Sequence, residues 1–243
     1  MGTTFTVAGL PVYRADPASG PIRGAVIVIH EIWGLVGQIE SVADRLAAEG
    51  YVGIAPDLFS SFGLTPEVGA QIEQLMFHGT EEDRARAQPL LREKAAPARS
   101  PEFAARAVPA LVELVDALVA EGTAPVFVTG FCFGGTYAFA LAAADRRIAG
   151  AAPFYGIAPE HADLSAIACP VLAFYGGTDA RVTGTLPQLT EAMAEAGVEF
   201  SPVVYPEAGH AFFNDTNPVM YQPDAAADAW TRLLEFLATR SRD

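Results

Sequence analysis

"VFVTGFCFGGTYAFALAAA", from Val126 to Ala144, decides the fold. Its first half is an apolar run of strand length with no polar alternation, as in a strand buried on both faces. Its second half is an alanine-rich helical stretch. Between them Cys132 occupies a glycine-flanked corner. Gly130-Phe131-Cys132-Phe133-Gly134 is G-x-C-x-G, the nucleophile-elbow pattern with sulfur in place of the serine oxygen. The reason for the glycines is steric, because side chains two residues to either side would crowd a nucleophile on a sharp, strained turn. The corner puts Cys132 at a helix N-terminus, where the dipole and free N–H groups favour a thiolate. The N–H of Phe133 would face a developing oxyanion. The motif alone leaves open a small buried cysteine in a tight turn.

Working outward, strand-length runs alternate with helix-period stretches along the whole chain. Thr4 to Val12 reads as one alternating strand. "AVIVIH" (Ala25 to His30), "YVGIAPDL", "IAGAAPFYG", "CPVLAFYGG" and "EFSPVVYP" read as further strands. "SVADRLAAEG" (Ser41 to Gly50), a helix from Ser100-Pro101-Glu102 to about Ala120, "LPQLTEAMAEAG" and the closing "PDAAADAWTRLLEFLATR" read as helices. Pro109 is expected to kink the second of these segments or mark a restart. Such alternation implies an α/β fold, a largely parallel sheet with helices on both faces. Residues 1–243 read as a single domain. Between Phe59 and Ser100 the pattern weakens to short helices and loops near the sheet's C-terminal edge, where open α/β sheets bind ligands.

Composition bounds the function. The chain has 243 residues, 29 acids against 15 bases and a formal net charge of −14, and Lys94 is its lone lysine. Phosphate backbones would be repelled, which argues against nucleic-acid binding. No apolar run reaches the roughly 18 to 20 residues that span a bilayer, and no secretory signal is read at the N-terminus, so no membrane partner is expected. Two cysteines, Cys132 and Cys169, make no disulfide framework and suit a reducing, cytoplasmic setting.

Partners for Cys132 stand at the ends of later strands. "FYGGTDARV" places Asp179 in one such loop, and "YPEAGHAFF" places His210 in another. An elbow nucleophile followed in order by an acid and a histidine is the α/β-hydrolase arrangement. His210 would deprotonate the thiol or protonate a leaving group, and Asp179 would fix its tautomer and stabilise the imidazolium. His78 and His161 lie in polar segments without an assigned role. His30, closing a buried strand, reads as packing, and no histidine pair has zinc-ligand spacing.

"VIHEIWGL", "APDLF", "GFCFGG", "FYG", "GGTD" and "EAGHAF" together resemble the dienelactone hydrolase family of α/β hydrolases, over most of the chain. The resemblance implies one compact domain without a separate lid and a Cys132, Asp179, His210 triad. It implies that Glu31 takes the proton of a resting, neutral thiol once substrate disturbs the site. A carboxylate at a buried strand end is costly without such a task or a partner. The resemblance further implies an oxyanion hole from the N–H groups of Ile32 and Phe133. The reaction would be hydrolysis of small lactones or esters through a thioester acyl-enzyme, as in carboxymethylenebutenolidase, with no metal or organic cofactor. One departure stands out. Dienelactone-cleaving members hold the substrate carboxylate with an arginine four residues after the histidine, where this chain has Asn214 as the candidate substrate-binding side chain. A second family arginine falls roughly within Glu73 to Arg92, where Arg84, Arg86 and Arg92 are candidates. Arg181, beside Asp179, is a substitute from another loop. Trp33, Phe131, Phe133, Tyr155, Phe212 and Phe213 are candidate walls of an apolar pocket.

Two other readings compete with ester or lactone hydrolysis: thioester cleavage on the same triad, and a hydrolase-fold binding protein with weak turnover. A pure binder has no need of Glu31, Asp179 and His210 together. A monomer or weak homodimer is expected.

Overall fold

The computed structural model describes residues 2–7, 9–159 and 163–241; His161 lies outside them. Its strands are β1 (Thr3–Val7), β2 (Leu10–Ala15), β3 (Ala25–Ile29), β4 (Val52–Pro56), β5 (Val126–Phe131), β6 (Ile148–Phe154), β7 (Val171–Gly176) and β8 (Phe200–Tyr205). They form one sheet in the order β1-β2-β4-β3-β5-β6-β7-β8. From β4 to β8 all pairings are parallel. The first two strands are antiparallel additions at one edge. The single strand expected over Thr4 to Val12 is thus a hairpin. Gly9 adopts φ 83° there, a left-handed backbone that glycine takes at little cost. A tight reversal leaves the alternation of side chains on either side looking continuous, so the pattern does not reveal it.

The central strand explains the layering. On β3, Ala25, Ile27 and Ile29 face one core and Val26 and Val28 the other, all fully buried. The first core is covered by α4 (Pro101–Ala120) and α5 (Phe133–Ala144), through Leu111, Leu114, Ala138 and Leu141. The second is covered by α1 (Gly37–Ala48) and α8 (Pro223–Arg240), through Ile39, Val42, Leu46, Leu233 and Leu237. Each such valine, leucine or isoleucine, fully buried, stabilises the fold by about 1.5–3 kcal/mol.

Several boundaries differ from the expected ones. Helix α1 begins four residues before Ser41, because its first turn carries Gln38 inward although it is polar. Helix α4 begins as expected, with Ser100 Oγ accepting from the Phe103 N–H at 3.1 Å. It runs unbroken through Pro109, with no restart. Between Phe59 and Ser100 lie two full helices, α2 (Pro66–His78) and α3 (Glu81–Ala95). The second is started by a capping box between Thr80 and Asp83, but only Ala87, Leu91 and Ala95 of it are buried, too few for a clear apolar stripe. Two further helices, α6 (Ala180–Thr183) and α7 (Leu186–Glu195), follow β7. Among the described residues no helix is long and apolar enough to cross a membrane.

Register gathers the functional loops. Ile29 pairs with Gly130, so Glu31 and Cys132, each two residues further on, leave the same sheet edge side by side. Phe131 pairs with Phe154, which brings Tyr155 alongside. Gly176 pairs with Tyr205, so the loops carrying Asp179 and His210 also start level with one another.

Candidate active site

The elbow is a packing solution before it is a chemical one. A Cβ on Gly130 would lie 2.2 Å from the Gly134 carbonyl oxygen, and one on Gly134 would lie 2.1 Å from that of Ile29. Both approaches are too close for any side chain. With strand and helix pressed together, Cys132 takes φ 54° and ψ −108°, a strained conformation for a residue other than glycine. Its N–H is anchored to the Phe154 carbonyl at 3.0 Å. The side chain is partly exposed.

Burial pushes the Cys132 thiol up to about 12, and the negative charges of Glu31 and Asp179 add to the effect. The Phe133 N–H and the Arg181 cation pull the other way and lose. The pull of the helix N-terminus toward a thiolate is present in the Phe133 N–H but is outweighed. Loss of hydration beside a carboxylate outweighs the dipole, and the resting group is a neutral thiol.

His210 and Asp179 form a close pair, Nδ1 to Oδ2 at 2.5 Å. With Nδ1–H donating to the carboxylate, Nε2 is free to exchange a proton. Asp179 also accepts from the Val182 N–H at 3.4 Å, as the cap of α6. The Thr178 hydroxyl donates to the Ala208 carbonyl at 3.0 Å and ties the two loops together. The ring of Tyr155 lies 5.1 Å from that of His210.

Glu31 is buried, at 3% exposure, yet three donors reach it. Tyr155 Oη–H donates to Oε1 at 2.9 Å, and Asn214 Nδ2 and Trp33 Nε1 donate to Oε2 at 3.0 and 3.1 Å. Burial raises the carboxyl's proton affinity, while Asn214, Tyr155, the nearby His210 and Trp33 oppose that rise. The result is a buried carboxyl group whose raised proton affinity is opposed by three hydrogen-bond donors and a nearby histidine.

Comparison with known proteins places the chain in one family. The profile of the dienelactone hydrolase family matches residues 10–241. The chain belongs to the dienelactone hydrolase family. It is 30% identical, over 97% of its length and 96% of the relative's, to a Saccharolobus solfataricus protein named "Putative carboxymethylenebutenolidase". It is 31% identical, over 93% of its length and 76% of the relative's, to a protein of the same name from Methylorubrum extorquens. The crystal structure titled "Putative Dienelactone Hydrolase" from Klebsiella pneumoniae superposes with a TM-score of 0.80 at 29% identity, covering 98% of this chain and 97% of that one. The protein is thus a hydrolase of the dienelactone hydrolase type on an α/β fold.

Within this family member, the residues expected to line the substrate site divide. Ile32 and Trp33 form the turn after β3, closed by the Gly34 N–H on the Glu31 carbonyl at 3.2 Å, and both are partly exposed. The N–H of Phe133, first residue of α5, has no intrahelical partner and faces the sulfur. Arg181 is exposed, yet its charge reaches Cys132. Three expectations need correction. Phe212 is fully buried and packs on Tyr155 and Tyr205, so it belongs to the core and lines no opening; Phe131 and Phe213 are buried likewise. Asn214 is also buried, and its amide is spent on Glu31 and Thr216 rather than turned to a ligand. Arg84 is exposed and donates to the Gly79 carbonyl at 2.6 Å, at the α2–α3 junction, so it does not join the cluster.

Other roles were not foreseen. Tyr155, a candidate pocket wall in the sequence, is buried, and its hydroxyl holds Glu31. Phe77 of α2 sets its ring 5.0 Å from that of Trp33. Glu73 and Thr216 extend the hydrogen bonding behind Asn214. His30 is a satisfied core histidine, as expected: Nδ1–H donates to the Glu31 carbonyl at 2.7 Å and Nε2 accepts from the Leu58 N–H at 3.2 Å. Among the described residues no group of three or more His, Cys, Asp and Glu side chains is placed to hold a metal ion.

Proposed function

We propose that this chain hydrolyses small esters or lactones through a thioester on Cys132. The observation that carries the reading is the Asp179–His210 pair, at 2.5 Å, on the same sheet edge as an elbow cysteine and a buried carboxylate. Substrate entering the cleft disturbs the donors around Glu31. The carboxylate then takes the thiol proton, and the thiolate attacks the acyl carbon. The N–H groups of Ile32 and Phe133 receive the developing oxyanion. Collapse expels the alkoxide, which takes from Glu31 the proton that came from the thiol, and Glu31 is a carboxylate again. A water deprotonated at Nε2 of His210 then cleaves the thioester. Asp179 keeps the imidazole in the required tautomer throughout.

Carboxymethylenebutenolidase activity, the one named for the relatives, would need a cation for the substrate carboxylate. Arg181 is the residue we assign to that task. The substrate is a small molecule, the setting cytoplasmic and the protein a monomer or weak homodimer.

The test is direct. A chromogenic ester is expected to leave an acyl adduct on Cys132, detectable by mass spectrometry, and Cys132→Ala is expected to lose turnover while unfolding as the parent does. Activity retained in the variant overturns the assignment. For Arg181, kcat/KM on an anionic lactone is expected to fall about tenfold or more in Arg181→Ala while a neutral ester is unaffected. An unchanged preference dismisses it.

A further inference from the structure

A second carboxyl group lies behind the first. Glu73, on α2, is buried at 9% exposure. The Thr216 hydroxyl oxygen lies 2.9 Å from Glu73 Oε1 and 2.6 Å from Asn214 Oδ1. Asn214 cannot be turned over to relieve this. Its oxygen accepts from the Thr216 N–H at 3.0 Å, and its nitrogen donates to Glu31 at 3.0 Å. A hydroxyl carries one proton. Were Glu73 ionised, that single proton would have to serve two acceptors, leaving one pair of oxygens in close contact with no hydrogen between them. Both contacts are satisfied when the carboxyl of Glu73 donates to Thr216 and Thr216 donates to Asn214.

Glu31 presents the opposite count. The indole N–H and the amide can only donate, so Oε2 carries no proton, and three donors suit a carboxylate. From this chain of contacts we infer that Glu31 and Glu73 share one proton, that it resides on Glu73, and that Glu73 is a positioning residue which orients Asn214 and keeps Glu31 ionised. Burial of both groups and the charge of Glu31 on Glu73 favour one proton on the pair and outweigh the Thr216 and Asn214 hydrogen bonds and the His78 charge that act the other way at Glu73. The titratable neighbours are Cys132, Tyr155 and His210 around Glu31, and His78 near Glu73.

The inference extends the reading of Glu31 as the base, and one arm of its test does not depend on that reading. Infrared spectra at neutral pH are expected to show the carbonyl stretch of a buried protonated carboxyl group that disappears in Glu73→Gln. Absence of that band from the parent, or its survival in Glu73→Gln with loss in Glu31→Gln, overturns the inference whatever the catalytic mechanism. The kinetic arm uses a neutral ester. Glu73→Gln carries an N–H where the acid carries O–H, so kcat is expected to stay within about twofold. Thr216→Val interrupts the chain and is expected to lower kcat about tenfold with little change in KM, and Thr216→Ser is expected to restore it. A loss in Glu73→Gln as large as in Thr216→Val would mean that the charge of Glu73, not its proton, is required. Failure of the kinetic arm with the infrared result intact would count against the base role of Glu31 and leave the placement of the proton standing.

Discussion

At the scale of single residues the candidate site depends on how a buried carboxyl group is held. Glu31 tolerates burial because Tyr155, Asn214 and Trp33 point hydrogens at it. A hydrogen bond to a charged group contributes about 1.5–3 kcal/mol, so each donor has a measurable share. Tyr155→Phe removes one donor and keeps the ring that packs beside His210. With one donor gone the carboxyl binds its proton more tightly at rest, so less of the enzyme holds an ionised base. The expected outcome is a kcat about tenfold lower near neutral pH, with partial recovery as pH rises and nearly unchanged KM. Steady-state rates across pH check it, and a uniform loss at all pH values would indicate a structural effect instead.

At the scale of elements the site is held by how closely helices approach the sheet edge. Gly69 of α2 would, with a Cβ, come within 2.1 Å of the Trp33 carbonyl oxygen, so this helix lies against the turn that carries Ile32 and Trp33. Gly69→Ala must push α2 outward and take Phe77 and Glu73 with it. Turnover is expected to fall at least tenfold and the tryptophan emission to change, at a stability cost of about 1–3 kcal/mol by chemical unfolding. This helix was also the least legible part of the chain. The central strands announce themselves because burial on both faces leaves unbroken apolar runs, as in "AVIVI". The triad candidates are legible for a related reason: Cys132 and Asp179 fall just past such runs, and His210 follows the edge strand β8, where the sheet must end. Segments α2 and α3 cover the edge with few buried side chains, so neither period nor apolarity marks them. The hydrogen-bonding roles of Tyr155, Glu73 and Thr216 escaped notice because they exist only once β6, α2 and the loop after β8 are brought together. Asn214 was misread because a vacancy for an arginine says nothing about which neighbour an amide will serve.

At the scale of the whole molecule the site works against the stability of the fold, and pH makes this visible. Burial raises the carboxyl of Glu31 above its unfolded value. The folded chain therefore keeps this proton to higher pH than the unfolded chain does, so the unfolded state binds fewer protons in that interval. Stability must then fall as pH rises, from the ordinary carboxyl value of about 4.3 until the folded group has also ionised. Below that interval Glu31 is neutral in both states and contributes no such loss. Glu31→Gln keeps the shape, its oxygen accepts from Trp33 and Asn214, and its amide donates to the Tyr155 hydroxyl. Urea unfolding from acid to neutral pH is expected to show the variant gaining on the parent as pH rises and then levelling off. The change at Glu73 has the same sign, because removing its charged neighbour lowers its own proton affinity. Turnover is expected to move the other way, falling steeply in Glu31→Gln while substrate binding persists. A variant that gains stability toward neutral pH and loses turnover would place the same carboxylate on both sides of the balance. Parallel stability profiles for the two proteins would mean that the three donors fully offset the burial of Glu31, leaving its proton affinity as it is in the unfolded chain.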